Sequence, residues 1–508
     1  GFMQPSFSNG AAYADLDGDG DFDLVVNNVA EKAFVYKNTA RESANNNYIA
    51  IELKGKGANT LAVGSLIKAY AGGEVLTREI FPGRGFQSSV DYRQIIGLGK
   101  REIDSLVVIW PDRTFSKILR PRINTTLHLE QTSLQKLPDE KPVQAEPMFL
   151  ALKQSFDKHV EDDHVDFYYE RNIPLMLSQE GPKAASGDVD GDGLTDLYIC
   201  GAAGQAGQLY VQKGGAFVKK ENDVFKRFAP VEDVAALFFD ADGDGDLDLF
   251  IGTGGNNTSF QHELQNRLYL NDGKGIFSLS LNALPPSGMN VSVAAAHDFD
   301  SDGDVDLFVG GRSVPQNYGV TPQSYLLVND GSGKFTDIAA AKLPALSKAG
   351  MVTGAAWADM TGDGRKDLVV TGEWMAPKIF SIQENRLAEV KTNLGNLFGW
   401  WQSLAIADMD GDGRQDMVLG NIGENFYLRP AEQTPVKLWV ADFDNNGTME
   451  KVMTQTIGGK DVPVFMKRDM VEQVASLRKQ NLKNVDYARK SIQDLFGKEA
   501  MARAGLQL

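Results

Sequence analysis

The nine residues DLDGDGDFD at 15–23 crowd five aspartates into one short stretch. Like charges this close repel one another unless a cation sits among them. Asp15, Asp17 and Asp19 alternate, Gly20 stands sixth, Asp21 seventh, and Asp23 closes the set. This D-x-D-x-D-G-x-x-D spacing suits a loop that wraps Ca2+ in hard oxygen ligands. Side chains would come from the first, third, fifth and ninth places and a backbone carbonyl from the seventh. The glycine permits the sharp turn. An EF-hand would carry glutamate at the twelfth place, where Val26 stands. The flanks AAYA and FDLVV read as strands, so the loop joins two β-strands.

The pattern recurs six times. At 188–196 it supplies Asp188, Asp190, Asp192 and Asp196, with the Leu194 carbonyl; at 240–248, Asp240, Asp242, Asp244, Asp246 and Asp248; at 298–306, Asp298, Asp300, Asp302, Asp304 and Asp306. At 359–367 the set is Asp359, Thr361, Asp363, Arg365 and Asp367; at 408–416 it is Asp408, Asp410, Asp412, Arg414 and Asp416. A degenerate seventh copy at 442–450 offers Asp442, Asp444, Asn446, Thr448 and Glu450. The expectation is about one Ca2+ per loop, held more weakly in the fifth and seventh loops, which have fewer anionic ligands. A metal repeated in every unit points to a structural job.

The elements that position these loops follow from the flanks. From residue 188 the loops start 52, 58, 61, 49 and 34 residues apart, a blade-like or solenoid period. In 235–297, AALFF, LDLFIG, NRLYLN and IFSLS read as four strands, with the acidic loop between the first two and a DGKG turn between the last two. The polar TGGNNTSFQHELQ joins the second strand to the third. Four antiparallel strands per unit make a β-propeller blade. Small residues in the first strand suit a crowded centre.

Composition narrows the function. The chain has 508 residues, 42% of them apolar, and a net charge of −17. Its seven loops hold 28 aspartates, so bound divalent ions would offset most of that charge. The acidity argues against a nucleic-acid partner. No apolar run reaches the roughly 20 residues of a membrane helix. The opening GFMQPSFSNG shows no signal peptide, as expected of a mature form or a fragment. Cys200 is the only cysteine, which excludes an intrachain disulfide. Loops of this kind suit millimolar calcium, so secretion or display at a cell surface, including a bacterial outer membrane, is expected.

The combination of calcium loop, DLFIG or DLVVTG strand and NDGxGxF turn over 188–450 resembles the FG-GAP/VCBS repeat family, as in integrin α-subunit propellers. The resemblance implies an all-β calcium-binding propeller, commonly of seven blades. Six loops lie in the span. Either the hairpin at 11–37 closes the ring or it belongs to a preceding propeller. Residues 47–130 lack acidic loops. Asn59, AVGS at 62–65, Arg78, Glu79, Gly83, Gly85, Phe86, GLG at 97–99 and WPD at 110–112 resemble the ASPIC/UnbV domain, a small β-rich module. Arg113 stands where that family usually has glycine, and Arg78 with Glu79 reads as a structural ion pair, with ligand binding as the alternative. The whole is similar to bacterial cartilage acidic protein-like chains. The expected organisation is a blade hairpin over 1–43, the ASPIC/UnbV domain over 44–132, the propeller over 148–460 and a helical tail over 461–508.

No catalytic motif stands out. Of His128, His159, His164, His262 and His297, two fall in HVEDDHVDF at 159–167, whose spacing does not align them on one helix face. There is no HExxH, G-x-S-x-G or phosphate-binding loop. The expected function is a calcium-stabilised binding or adhesion module for a glycan or protein. The alternatives are a polysaccharide-active enzyme, whose scattered carboxylates no motif reveals, and a structural subunit of a surface assembly. Blade topology puts the variable loops on the face opposite the acidic turns. Arg312, Tyr318, Trp374, Trp400 and Trp401 lie there as candidate ligand-binding residues. The competing reading has the tryptophans filling the core.

Overall fold

The computed structural model describes residues 6–133, 135–137, 148–149, 156–257, 264–383, 386–423 and 426–507. The chain forms two compact units, Gly1–Leu150 and Ala151–Leu508.

In the first unit, the strands Ser8–Ala14, Asp23–Asn28 and Phe34–Tyr36 form a three-stranded antiparallel sheet of their own, with the first acidic loop between the first two strands. The β-rich module that follows has two sheets. One has Asn47–Lys54 between Gln94–Gly99 and Thr126–Glu130; the other runs Glu74–Glu79, Leu66–Ala71, Ile103–Ile109, Phe115–Leu119. Ile49, Ile51, Ile67, Ile96, Leu106 and Trp110 fill the core between them. Arg113 adopts φ +64°, the left-handed conformation that a glycine would take without strain. The expected Arg78–Glu79 pair does not form. Neighbours in a strand point to opposite faces, and Arg78 Nη1 donates to the Thr77 carbonyl instead (2.9 Å).

The second unit is an all-β propeller. Blade one is Ala184–Gly187, Asp196–Ile199, Gln208–Lys213 and Ala216–Lys220. Blade two is Glu232–Phe239, Asp248–Gly254, Arg267–Leu270 and Ser278–Leu279. Blade three is Asn290–His297, Asp306–Ser313, Tyr325–Asn329 and Phe335–Asp337. Blade four is Met351–Ala358, Asp367–Met375, Lys378–Gln383 and Arg386–Glu389. Blade five has two strands, Gly399–Ala407 and Asp416–Asn421. The described residues thus form four complete blades and a partial fifth. The glycine of the DLFIG pattern has a packing reason. A Cβ on Gly252 would come within 2.4 Å of Val291, and one on Gly310 within 2.6 Å of Val352, each on the first strand of the next blade.

The seventh acidic loop lies in a separate sheet of Lys460–Pro463, Glu450–Ile457, Val436–Ala441 and Gly505–Gln507. Helices Lys467–Gln473, Leu477–Gln480, Asn484–Ala488 and Ile492–Arg503 bury Met470, Leu477, Tyr487 and Ile492 against Val452 and Phe443 of this sheet. The segment 461–508, expected as a helical tail, is therefore bracketed by strands.

In blades one to three an amide side chain fastens the blade to its acidic loop. In blade three the Asn329 backbone N–H donates to Asp306 Oδ1 (2.9 Å), while its side chain donates to the Val305 carbonyl and to Ala241 in the preceding blade's loop (3.2 and 2.8 Å). Asn271 repeats this in blade two, reaching Asp248, Leu247 and Val189. Asn329→Ala would leave two carbonyls without their donor and is expected to lower stability by about 2 kcal/mol, measurable by denaturant unfolding.

Candidate functional site: the acidic loops and the opposite face

All seven loops adopt one hydrogen-bond pattern. The ninth-place carboxylate accepts the second-place N–H: Asp23 from Leu16, Asp196 from Val189, Asp248 from Ala241, Asp306 from Phe299, Asp367 from Met360, Asp416 from Met409 and Glu450 from Phe443, at 2.6–3.2 Å. The first-place aspartate accepts the sixth-place N–H in every loop, as Gly193 donates to Asp188 Oδ2 at 2.8 Å. The fifth place accepts the seventh-place N–H, including Asn446 from Thr448 (2.7 Å). The degenerate seventh loop thus keeps the geometry, with Glu450 replacing the usual aspartate. Ser301 and Asn445 hold the left-handed fourth place, at φ +62° and +60°, where the other loops have glycine.

This wrapping turns the remaining carboxylate oxygens inward. Asp188, Asp190 and Asp192 bring oxygens within 4.8 Å of one another, as do Asp298, Asp300 and Asp302, and Asp240, Asp242 and Asp248. Asp190 Oδ1, Asp242 Oδ1, Asp300 Oδ1 and Asp444 Oδ1, the third-place oxygens of four loops, are buried without a hydrogen-bond partner. Buried anionic oxygens need a positive partner, and this donor set of hard oxygens fits a divalent cation. In the first loop Lys37 reaches Asp17 (2.5 Å), Asp19 (3.5 Å) and Glu42 (2.8 Å), placing an internal ammonium beside the carboxylates. Burial raises Asp248 and Asp306 to about 7, and their neighbouring aspartates add to the shift. Glu450 rises to about 7 for the same first reason.

The expected ligand-binding residues are brought together, but inside the protein. Arg312 is 2% exposed, Tyr318 0%, Trp374 4% and Trp401 8%. Arg312 grips Glu373 through both terminal nitrogens (2.8 Å each) and reaches Glu180 (3.3 Å). Tyr318 Oη donates to Glu373 Oε2 (2.6 Å), Trp374 Nε1 donates to Tyr318 Oη (2.8 Å), and Gln402 Nε2 donates to Glu373 Oε1 (2.6 Å). Burial alone would raise Glu373. Arg312 and the hydrogen bonds from Tyr318 and Gln402 reverse that and hold it below the usual carboxylate range. Trp374 sits at φ +56°, a strained value for a bulky residue. Four of the five candidates are therefore core residues. Only Trp400 is partly exposed, its ring against Trp374 (4.7 Å) and Phe426 (5.2 Å).

The chain itself covers much of this face. Residues 156–183 run across the loops between second and third strands. Gln205 of blade one bonds Val160, Asn256 of blade two bonds Glu170 (2.8 Å), and the Tyr318 N–H of blade three also donates to Glu170 (2.6 Å). Ile173 and Leu177 pack beside Tyr318, Met351 and Trp374, joined by Leu438 and Val440 of the last sheet. Lys451 of that sheet meets Glu170 at 2.8 Å, both buried. Glu232, buried near this segment, is pushed up to about 8 by burial and then by Glu161 and Glu180. His159 pairs with Glu161 (2.6 Å) and His164 stacks on Tyr169, so the HVEDDHVDF histidines face different partners. His262 lies outside the described residues, as does the rest of 258–263 in the polar connection of blade two.

Sequence reasoning missed the fastening amides Asn38, Gln212, Asn271 and Asn329. Their signal is an Asn or Gln two residues after the strand-three residue that pairs beside the ninth-place acid. In NDG it reads only as turn chemistry. Blade four has Ile382 at that register position, and Asp367 Oδ1 is left buried without a partner.

The family models agree with this architecture. The family model described as ASPIC and UnbV matches residues 55–136, and that of the FG-GAP-like repeat matches 188–251, 240–309, 298–370 and 359–419. No curated protein matches the chain by sequence. Among solved structures, it is similar to a lectin of Agrocybe aegerita that recognises non-reducing terminal N-acetylglucosamine (14% identity, 82% of this chain and 90% of that one, TM-score 0.33). It is also similar to the six-bladed propeller lectin of Aleuria aurantia with its fucose recognition mode (11%, 78% and 100%, 0.26). A third is the V. cholerae biofilm matrix protein Bap1 (20%, 45% and 36%, 0.24).

Two outcomes follow. Unfolded, the ninth-place acids release their protons near pH 4; folded without metal, Asp248, Asp306 and Glu450 release them near 7. The folded state binds more protons in that window, so stability falls as pH rises through it. Melting of the chelator-treated protein is expected at a lower temperature at pH 8 than at pH 5. Separately, Arg312→Ala leaves Glu373 charged and buried, and denaturant unfolding is expected to show a loss of about 3–5 kcal/mol. A ligand-gripping surface arginine would leave stability unchanged.

Proposed function

This chain carries FG-GAP-like repeats and an ASPIC and UnbV domain, and on that premise we propose that it is a calcium-organised binding module working where calcium is millimolar, outside the cell or at its surface. The observation that carries the reading is the set of buried, unpartnered aspartate oxygens at the third place of four loops. Asp190, Asp242, Asp300 and Asp444 would ligate the ion with the first- and fifth-place side chains, and the ion would supply the positive charge these oxygens lack. The loop at 359–367 binds more weakly because Thr361 replaces an aspartate, and the first loop because Lys37 competes for its carboxylates. Among the described residues, no helix is long and apolar enough to cross a membrane.

Recognition moves from the buried cluster to the rim beside Trp400. Phe426 packs on Trp400 and on Tyr427, which is 66% exposed; Leu397, whose carbonyl accepts from Trp401 Nε1 (3.2 Å), and Phe398 are also exposed. An exposed aromatic rim on a rigid scaffold suits the flat apolar face of a sugar ring or a protein surface. Glycan and peptide arrays probed with and without calcium test this. Binding to one ligand class is expected, lost in chelator, and weakened at least tenfold by Tyr427→Ala or Phe398→Ala with melting unchanged. Equal binding by these variants would move recognition elsewhere. Turnover of an arrayed polysaccharide would establish an enzyme instead.

A further inference from the structure

Arg78 and Glu79, which do not pair with each other, both line an open cavity of about 440 Å3 in the first unit. The acidic-loop hairpin supplies one wall and the β-rich module the other. Three contacts hold these walls together. A Cβ on Gly10 would come within 2.6 Å of Ser88 Oγ, so the loop FPGRGFQSS at 81–89 lies against the first strand. A Cβ on Gly20 would overlap the Tyr48 ring. Arg93 of the module stands 3.9 Å from Asp15. Small-molecule pockets run from roughly 300 to 1,000 Å3, so the cavity has room for one small ring-bearing molecule.

The groups around it lack partners within the chain. Arg84 and Glu79 make no side-chain hydrogen bond or ion pair among the described residues, and the guanidinium of Arg78 reaches only the carbonyl of its neighbour Thr77. The chain has 68 acidic residues against 51 lysines and arginines, so carboxylates are not scarce; these two arginines are placed away from them. Gln94 is 7% exposed, yet its side-chain oxygen has no donor among the described residues. Its Nε2 makes only two long contacts, 3.4 Å each, to the Asp91 and Tyr92 carbonyls. Tyr13 and Phe22, half-buried with ring centres 5.0 Å apart and planes at 56°, add an apolar corner.

Together these groups describe one kind of ligand. Two free guanidinium groups call for an anion, which arginine grips through paired N–H donors. Glu79 and the Gln94 oxygen only accept, so the ligand also brings hydroxyl donors. The aromatic corner suits the apolar C–H face of a saturated ring. We propose that this cavity binds an acidic sugar. The carboxylate or sulfate ester of a pyranose meets Arg78 and Arg84, its hydroxyls meet Glu79 and Gln94, and its ring packs on Tyr13 and Phe22. The site is separate from the aromatic rim beside Trp400 and does not rest on it.

Isothermal titration of the full chain at constant calcium tests this with three probes: methyl β-glucuronoside, glucose 6-sulfate and the neutral methyl β-glucoside. Saturable one-to-one binding is expected for at least one of the two anionic sugars, and which one binds tells a uronate site from a sulfate-ester site. The neutral glucoside, which offers the arginines no charge, is expected to bind at least about tenfold more weakly. Added sodium chloride is expected to weaken the anionic sugar. Arg84→Ala and Arg78→Ala are each expected to weaken it at least about tenfold with melting unchanged, since neither side chain holds another side chain in place. Bound sugar is expected to slow hydrogen exchange at 77–84. The proposal is overturned if neither anionic sugar binds, if the neutral glucoside binds equally, or if Arg84→Ala binds as the unaltered chain does. Protection confined to 397–427 would place the sugar at the rim and overturn it as well.

Discussion

The repulsion among aspartates held within nine residues of chain is the constraint around which the blades are built. Water would screen it, but in the complete blades the ninth-place acids start the second strand and are drawn inside; Asp196, Asp248, Asp306 and Asp367 are all buried. The fold answers with backbone donors: the second-place N–H for one oxygen and, for Asp23, Asp196, Asp248 and Asp306, a third-strand N–H for the other. The asparagine that supplies the second donor also reaches the preceding blade, so satisfying one carboxylate couples two blades. The third-place oxygens of four loops remain unanswered by the chain, and a bound cation is the partner their chemistry calls for. The proposed metal binding, blade geometry and blade-to-blade coupling therefore share one set of atoms.

The opposite end of the blades is governed by a different balance. Its connecting loops carry tryptophan, tyrosine and arginine, residues that gain most from burial or from a fixed partner. Blades one to four alone would leave these side chains against water. Residues 156–183 and the last sheet cover them, and Glu373 gathers Arg312, Tyr318 and Gln402 into one hydrogen-bonded cluster. What remains available is the rim beside blade five, where Trp400 passes from this core to the exposed Tyr427.

Much of this was legible because it is local. Alternating aspartates with glycine at the sixth place predict the turn, and even DFDNNGTME at 442–450 folds as its better-formed counterparts do. Topology also placed Trp374, Trp400 and Arg312 at the correct end of the blades. Their burial was not legible, since it depends on contacts such as Glu170 with Tyr318, 148 residues apart in sequence. The strand Gly505–Gln507 was missed for the same reason: three residues carry no period, and only pairing with Leu438–Val440 makes them a strand. The blade count was not legible, because an acidic loop need not stand for a whole blade. The sixth loop begins a blade of two strands, and the seventh belongs to a separate sheet. Arg78 and Glu79 misled through adjacency, which in a strand means opposite faces.

The most direct test of the account is a count of calcium ions on the intact chain, by equilibrium dialysis at millimolar calcium with elemental analysis, paired with thermal melting. The account predicts about one ion per acidic loop, with 188–196, 240–248, 298–306 and 408–416 filling before 15–23, 359–367 and 442–450. It also predicts a melting temperature that rises with calcium and falls in chelator, and that magnesium at the same concentration does not restore, because magnesium resists dehydration into an all-protein cage. A chain that retains no calcium under these conditions and melts identically in chelator would contradict it.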